Sequence, residues 1–160
     1  MDKVQTIQTE VEELLGKMIS EFTVDVREEN GMFQVIIKTQ NDAPTVIGRR
    51  GETIRAVQKI LEVILYKKFN EPVSILVNVN DYREKQKERL EAVAVETAEK
   101  TMSAKEPTYI RGLSSFERKM VHEYVTANYP DLITYSVGDG RDRRLVVDLK
   151  GNEPKKQPEE

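Results

Sequence analysis

Cysteine is absent from this chain of 160 residues. That excludes disulfides, zinc–cysteine sites and thiol nucleophiles, and it suits a reducing compartment. Histidine occurs once, as His122, which restricts the acid–base and metal chemistry available near neutral pH. Carboxylates at metal-binding spacing are missing as well, so neither a metal nor a cofactor is expected. No apolar run approaches bilayer-spanning length, and Met1-Asp2-Lys3-Val4-Gln5 lacks the unbroken apolar stretch of a signal peptide. The expected location is cytoplasmic, with no membrane partner. An overall positive charge is also lacking. The formal net charge is −3, so any contact with nucleic acid must use local patches. With 33% charged and 38% hydrophobic residues, the chain reads as a well-solvated globular protein long enough for one large domain or two small ones.

Periodicity organises the chain. Val4, Ile7, Val11, Leu14, Leu15, Met18 and Ile19 recur at helical spacing and predict an amphipathic helix over residues 3–19. Phe22–Val26 alternates at period two, Glu29-Asn30-Gly31 is a turn signal, and Phe33–Ile37 resumes as a strand, which together read as a hairpin. Asp42-Ala43-Pro44 opens a short helical turn. Ile54, Val57, Leu61, Ile64 and Leu65 mark the buried stripe of a second helix, and Val73–Val77 reads as a third strand. A long helix follows from Asp81 to Ala104, its mixed-sign polar half a solvated face, including Lys85, Lys87 and Arg89. Tyr109-Ile110 is a candidate short strand. Ser114-Ser115-Phe116-Glu117 matches a capping box at the head of a helix running to Asn128. Leu132–Val137 and Arg144–Leu149 form the arms of a second hairpin, and residues 151–160 have a disordered-tail composition. The fold class is α+β, in two small domains joined through the long helix.

Between the short helical turn and the second helix lies Gly48-Arg49-Arg50-Gly51. Two glycines leave the turn without a Cβ at either edge, where a polyanion can approach the backbone. The following helix directs free N–H groups and its positive dipole end toward the turn. Arg49 and Arg50 add charge suited to phosphate oxygens. A Gly-x-x-Gly stretch alone is also an ordinary turn, and its arginines are then exposed residues touching nothing.

In the second half, Arg118 and His122 stand four residues apart on one helix face, about 40° apart at ~100° per residue. Phe116, Met120, Val121, Tyr124 and Val125 define the apolar stripe of that helix, and the pair lies to one side of it. The pair reads either as a binding couple or as solvated bystanders. Arg141, Arg143 and Arg144 cluster in the hairpin nearby, as a basic patch or as partners of Asp139 and Asp142.

The first half resembles a type II KH domain, in element order (αββααβ) and in the motif Val46-Ile47-Gly48-Arg49-Arg50-Gly51-Glu52-Thr53-Ile54. Arginine-rich loops of this kind are similar to those of the bacterial Jag family, also called KhpB or EloR. Phe116-Glu117-Arg118-Lys119-Met120-Val121-His122 carries the Arg-x-x-x-His spacing of the R-three-H domain, and Tyr135–Arg144 is similar to that domain's closing hairpin. Asp81-Tyr82-Arg83-Glu84-Lys85 looks like the start of the family's linking helix. The resemblance implies a KH domain over residues 1–80, an R-three-H domain with the linking helix over 81–150, and a tail over 151–160. It departs from the family in starting directly at the KH helix, where many members carry an extra N-terminal domain. Gly112 and Ser115 also stand where prolines are frequent. It implies RNA contact by Ile47, Gly48, Arg49, Arg50, Gly51, Arg118, His122, Arg141, Arg143 and Arg144, with Ile37, Ile47 and Ile54 lining a base groove. Tyr82 and Arg83 would bridge the two sites, unless Tyr82 simply packs.

The function so implied is a non-enzymatic single-stranded RNA-binding protein, a bacterial post-transcriptional regulator linked to cell elongation and division. Single-stranded DNA is an alternative ligand. The other alternative is a scaffold that acts through KH-mediated dimerisation, as a homodimer or with a small KH-domain partner. A nuclease using His122 is disfavoured, because no second base accompanies it.

Overall fold

The computed structural model of the chain describes residues 2–152 and Pro154. The rest of the 151–160 tail reading lies outside the described residues. Two compact units divide the chain, Met1–Glu84 and Lys85–Glu160.

In unit 1, α1 (Lys3–Leu15) starts at Asp2, whose side chain accepts from the Val4 amide. The helix predicted to reach residue 19 stops at Leu15, and the Gly16 amide caps it on Glu12 and Leu14. The amides of Met18 and Ile19 then turn back onto the Leu15 carbonyl. Ile19 is still buried from that turn, so its hydrophobicity outlasts the helix. Strands β1 (Thr23–Glu29) and β2 (Met32–Lys38) pair antiparallel. Asn30 at φ 53 and Gly31 at φ 77 supply the two left-handed residues that a tight two-residue hairpin requires.

Helices α2 (Ala43–Ile47) and α3 (Glu52–Phe69) carry the chain to β3 (Ile75–Val79), which lies parallel to β2. The sheet order is β1-β2-β3. The third strand begins at Ile75 rather than Val73 because Phe33 is paired with Ile75. Extending that register backward would set Val73 against the Gly31 turn. Ile7, Val11 and Leu15 of α1 and Ile54, Val57, Leu61 and Leu65 of α3 close over Val35, Ile37, Val77 and Val79 of the sheet. Ile64, predicted on the α3 stripe, is only partly buried.

The helix α4 (Tyr82–Ala104) contains the division between the units in its first turn. Unit 2 continues with β4 (Thr108–Ile110), α5 (Ser115–Asn128), β5 (Leu132–Val137) and β6 (Arg144–Leu149), in an antiparallel sheet of order β4-β6-β5. Leu90, Ala94 and Ala98 of α4 and Val121 and Val125 of α5 pack on Leu145 and Val147. The capping box is complete: the Ser114 hydroxyl accepts from the Glu117 amide and the Glu117 carboxylate accepts from the Ser114 amide.

Two helical residues depart from the sequence reading. Phe116, predicted on the apolar stripe, is 38% exposed, and Glu117 takes the buried position at 0%. A buried carboxylate needs a partner, and Arg89, predicted to be solvated, provides it: its guanidinium donates to Glu117 Oε1 at 2.5 Å. The cap and the ion pair share one carboxylate, one oxygen each.

Candidate nucleic-acid interfaces

The Gly-Arg-Arg-Gly loop is held by its own backbone. Pro44 sits at the head of α2, where a missing N–H costs nothing. Gly48 ends that helix at φ 71, ψ −178, a conformation open essentially to glycine alone. A Cβ there would lie 2.0 Å from Thr53 Oγ1. Arg50 is left-handed (φ 53, ψ 29), and its carbonyl accepts from the Arg55 guanidinium at 3.1 Å. Gly51 is left-handed too, at φ 73, and a Cβ on it would stand 2.7 Å from the Tyr82 hydroxyl. Both glycines therefore answer to contacts inside the chain. The sequence reading reserved their bare edges for a ligand.

The amides of Gly48, Gly51 and Glu52 are taken by Pro44, Gly48 and Arg49 carbonyls. Those of Arg49 and Arg50 meet no acceptor among the described residues, and α3 has no side-chain cap. Arg49 is exposed, Arg50 half-buried, and neither forms an ion pair among the described residues. Glu52, in the first turn of α3, is the one acidic group beside them. Ile47 is half-buried and packs on the core. Ile37 and Ile54 are fully buried and line no surface, a correction to their reading as groove residues.

Tyr82 and Arg83 serve unit 1. Tyr82 lies against Gly51. Arg83 donates through Nε to the Val77 carbonyl at 2.6 Å and through its terminal nitrogen to Gln58 Oε1 at 3.0 Å. Burial, followed by the Arg55 charge, pulls the Arg83 guanidinium below its usual range. These contacts fasten the start of α4 to β3 and α3, and they bridge nothing outside the unit.

In unit 2, α5 and the free edge of β5 enclose a groove of about 600 Å³ lined by Arg118, Lys119, His122, Thr134, Ser136 and Arg143, among others. Arg118 is aimed by two hydrogen bonds, to the Leu113 carbonyl at 2.8 Å and to the Ser115 hydroxyl at 3.0 Å. The other three of its five N–H donors stay available. His122 is exposed, and its Nδ1 meets the Thr134 hydroxyl. Beyond His122 a second cleft of about 670 Å³ is more apolar, formed by Pro130, Leu132, Ile133 and the Lys150 stem, among others. His122 thus stands between a cationic trough suited to phosphate and an apolar one suited to a base.

The three hairpin arginines part company. Arg143 joins the groove, while Arg141 sits exposed on the turn at Gly140–Asp142 and does not line it. Arg144 is turned to the opposite sheet face, its guanidinium over the Tyr109 ring at 5.2 Å. Leu145 and Val147 take the core side, so strand alternation sends Arg144 away. Among the described residues no ion pair ties Arg141 or Arg143 to Asp139 or Asp142. Lys119, Thr134 and Ser136 were missed by the sequence reading. The alternation of β5 carried a signal for the two hydroxyls, whereas the solvated look of Lys119 gave none. Among the described residues no acidic or histidine cluster could hold a metal ion, and no helix is long and apolar enough to cross a membrane.

A helix bearing arginine and histidine one turn apart beside a short antiparallel sheet defines the R-three-H domain class, and the model of that domain family matches residues 88–149. The relatives extend the likeness to both units. The RNA-binding protein KhpB of Bacillus subtilis is 30% identical over 146 residues, covering 90% of this chain and 67% of its own length. Its namesake in Streptococcus pneumoniae is 26% identical, with 92% of this chain and 45% of that protein covered. That of Clostridium symbiosum is 26% identical, with 83% and 59% covered. The chain belongs to the KhpB family. It spans about half to two thirds of the length of these curated relatives.

Proposed function

We propose that this chain binds single-stranded RNA without catalysis, through two separate contact regions. The observation that carries this reading is the unit 2 groove, where Arg118, Lys119 and Arg143 converge beside an exposed His122. Three cations in a trough with hydroxyl donors suit a phosphodiester backbone, and an adjoining apolar cleft suits an unstacked base. The names of the relatives support RNA as the polymer. Single-stranded DNA is the competing ligand, and groups that contact the 2′-hydroxyl would separate the two.

Unit 1 is read as a type II KH domain. The order α1-β1-β2-α2-α3-β3, the parallel β2–β3 pair and the Gly-Arg-Arg-Gly link between the central helices support that assignment. In it Arg49, Arg50 and their open amides would hold phosphates. Linking two weak sites on one chain raises the effective concentration of the second once the first is filled. The test is fluorescence anisotropy with a labelled uridine 12-mer. Arg49→Ser/Arg50→Ser and Arg118→Ala/His122→Ala each weaken binding, and their combination weakens it most. Should the second pair leave the 12-mer's affinity intact, the two-site reading fails. Labelled RNA incubated with and without magnesium stays whole; cleavage abolished by His122→Ala would overturn the non-enzymatic assignment.

A second reading has its own observation. Ile60, Val63 and Tyr66 are 48%, 61% and 55% exposed at successive three-residue steps on α3. That stripe suits pairing with another KH unit, in a second copy or a small partner. Val63→Asp would abolish any dimer seen by light scattering. A role in post-transcriptional control of elongation and division is checked by crosslinking in cells and sequencing of the bound transcripts.

A further inference from the structure

The unit 2 sheet has two unlike faces. Leu145, Val147 and Leu149 of β6 meet the helices, so Arg144, Val146 and Asp148 face the other way. No helix of unit 2 covers that side. Register places Tyr109 of β4 and Tyr135 of β5 on either side of Val146, in one row across three strands. Two strand spacings set the tyrosine Cα atoms about 10 Å apart. Val146 is nevertheless 0% exposed, whereas Tyr109 is 51% exposed. Arg144 lies over the Tyr109 ring, and its Nε is buried without a hydrogen-bond partner. The carboxylate of the row, Asp148, is 4% exposed and accepts from the Tyr135 hydroxyl, the Leu149 amide and the Asn152 side chain. Its charge is thus engaged below the surface. Burial first, then Asp148 and Tyr109, raise the Tyr135 phenol above its ordinary range, which places both tyrosines over the same patch.

Aromatic rings held across neighbouring strands, next to a guanidinium with an unfilled donor, are suited to stacking unpaired bases and holding the intervening phosphate. The main chain of Tyr135 borders the Arg118–His122 groove, while its ring belongs to the opposite face. β5 is the free edge between the two. We propose that the open sheet face formed by Tyr109, Tyr135 and Arg144 is a base-stacking platform for the strand that enters the groove, which wraps the β5 edge to reach it. This rests on the reading of the groove as a nucleic-acid site.

Anisotropy titrations with labelled uridine 4-mers and 12-mers test it. Tyr109→Leu keeps an apolar cover on Val146 but removes the π face. It should weaken the 12-mer about tenfold, within the range for loss of one stacked base, and leave the 4-mer, which fills the groove alone, unchanged. Tyr109→Phe should restore the 12-mer. Arg144→Gln should lower the salt slope of 12-mer binding by about 0.7. A 12-mer bound by Tyr109→Leu and Arg144→Gln as by the unaltered chain overturns the platform, while continued sensitivity to Arg118→Ala/His122→Ala would keep the groove. Loss of neither oligomer's affinity in any variant, or no binding by the unaltered chain, removes both. Amide spectra of Tyr109→Leu establish that the sheet is intact.

Discussion

Gly51→Ala isolates what the loop glycines are for. The residue holds φ 73, and a Cβ would stand 2.7 Å from Tyr82 Oη and 3.2 Å from Tyr82 Cε1. A left-handed non-glycine residue costs roughly 1–2 kcal/mol. Displacing a packed ring adds about 1–2 kcal/mol, at the lower end for overpacked sites. The total is about 3 kcal/mol, or a urea midpoint lowered by about 2 M at an m-value near 1.5 kcal/mol/M. Tyr82→Phe removes the nearest atom and leaves the ring carbon, so it should return only part of the steric share. The double-mutant coupling is then about 1 kcal/mol, with the double variant more stable than the sum of the single changes implies. Urea titration followed by amide spectra reads the loss in unit 1 residue by residue. A Gly51→Ala midpoint equal to that of the unaltered chain, or no coupling to Tyr82→Phe, would refute the packing explanation and return the glycine to ligand access. Binding losses in Gly51 variants should be read only after this correction.

At the other end of the loop, Gly48→Ala should cost about 3 kcal/mol or more in unit 1, and Thr53→Ala should not rescue it, because the Thr53 amide nitrogen also lies within 2.9 Å of the added carbon. Arg89→Ala leaves the Glu117 carboxylate buried without its cation and should cost unit 2 about 1–3 kcal/mol in a thermal melt, with Glu117→Gln in the same chain recovering part of it. In RNA binding, Arg49→Ser, Arg118→Ser and Arg143→Ser should each reduce the log–log salt slope by about 0.7, whereas Arg141→Ser, outside the groove, should not change it. The Tyr135 phenol is raised chiefly by burial, so above about pH 10 the unfolded chain ionises that group while the folded one retains the proton. Stability is unaffected below that pH and lost above it, and Tyr135→Phe should flatten the alkaline decline seen in urea midpoints.

Local pattern was enough wherever a signal repeats within one turn or one strand. The hairpin at Asn30-Gly31, the capping box at Ser114–Glu117, the extent of α4 and α5, and the arms at Leu132–Val137 and Arg144–Leu149 follow from neighbours in the chain. So does the placing of Arg118 and His122 on one helix face, since their spacing nearly matches the helical repeat. The other calls depended on distant partners. Ile37 and Ile54 have the hydrophobicity of groove liners or of core, and only the packing of α3 on the sheet buries both. Arg89 looks solvated until Glu117, 28 residues later, is brought beneath it. Tyr82 and Gly51 are unrelated in sequence, yet their contact fixes the loop. Arg143 and Arg144 are equivalent letters, and strand alternation, once the core claims Leu145, sends them to opposite faces. Sequence therefore determined the elements and the charge each can offer. Tertiary structure decided which charges share a surface, because burial and pairing are set by residues that meet only after the chain has closed on itself.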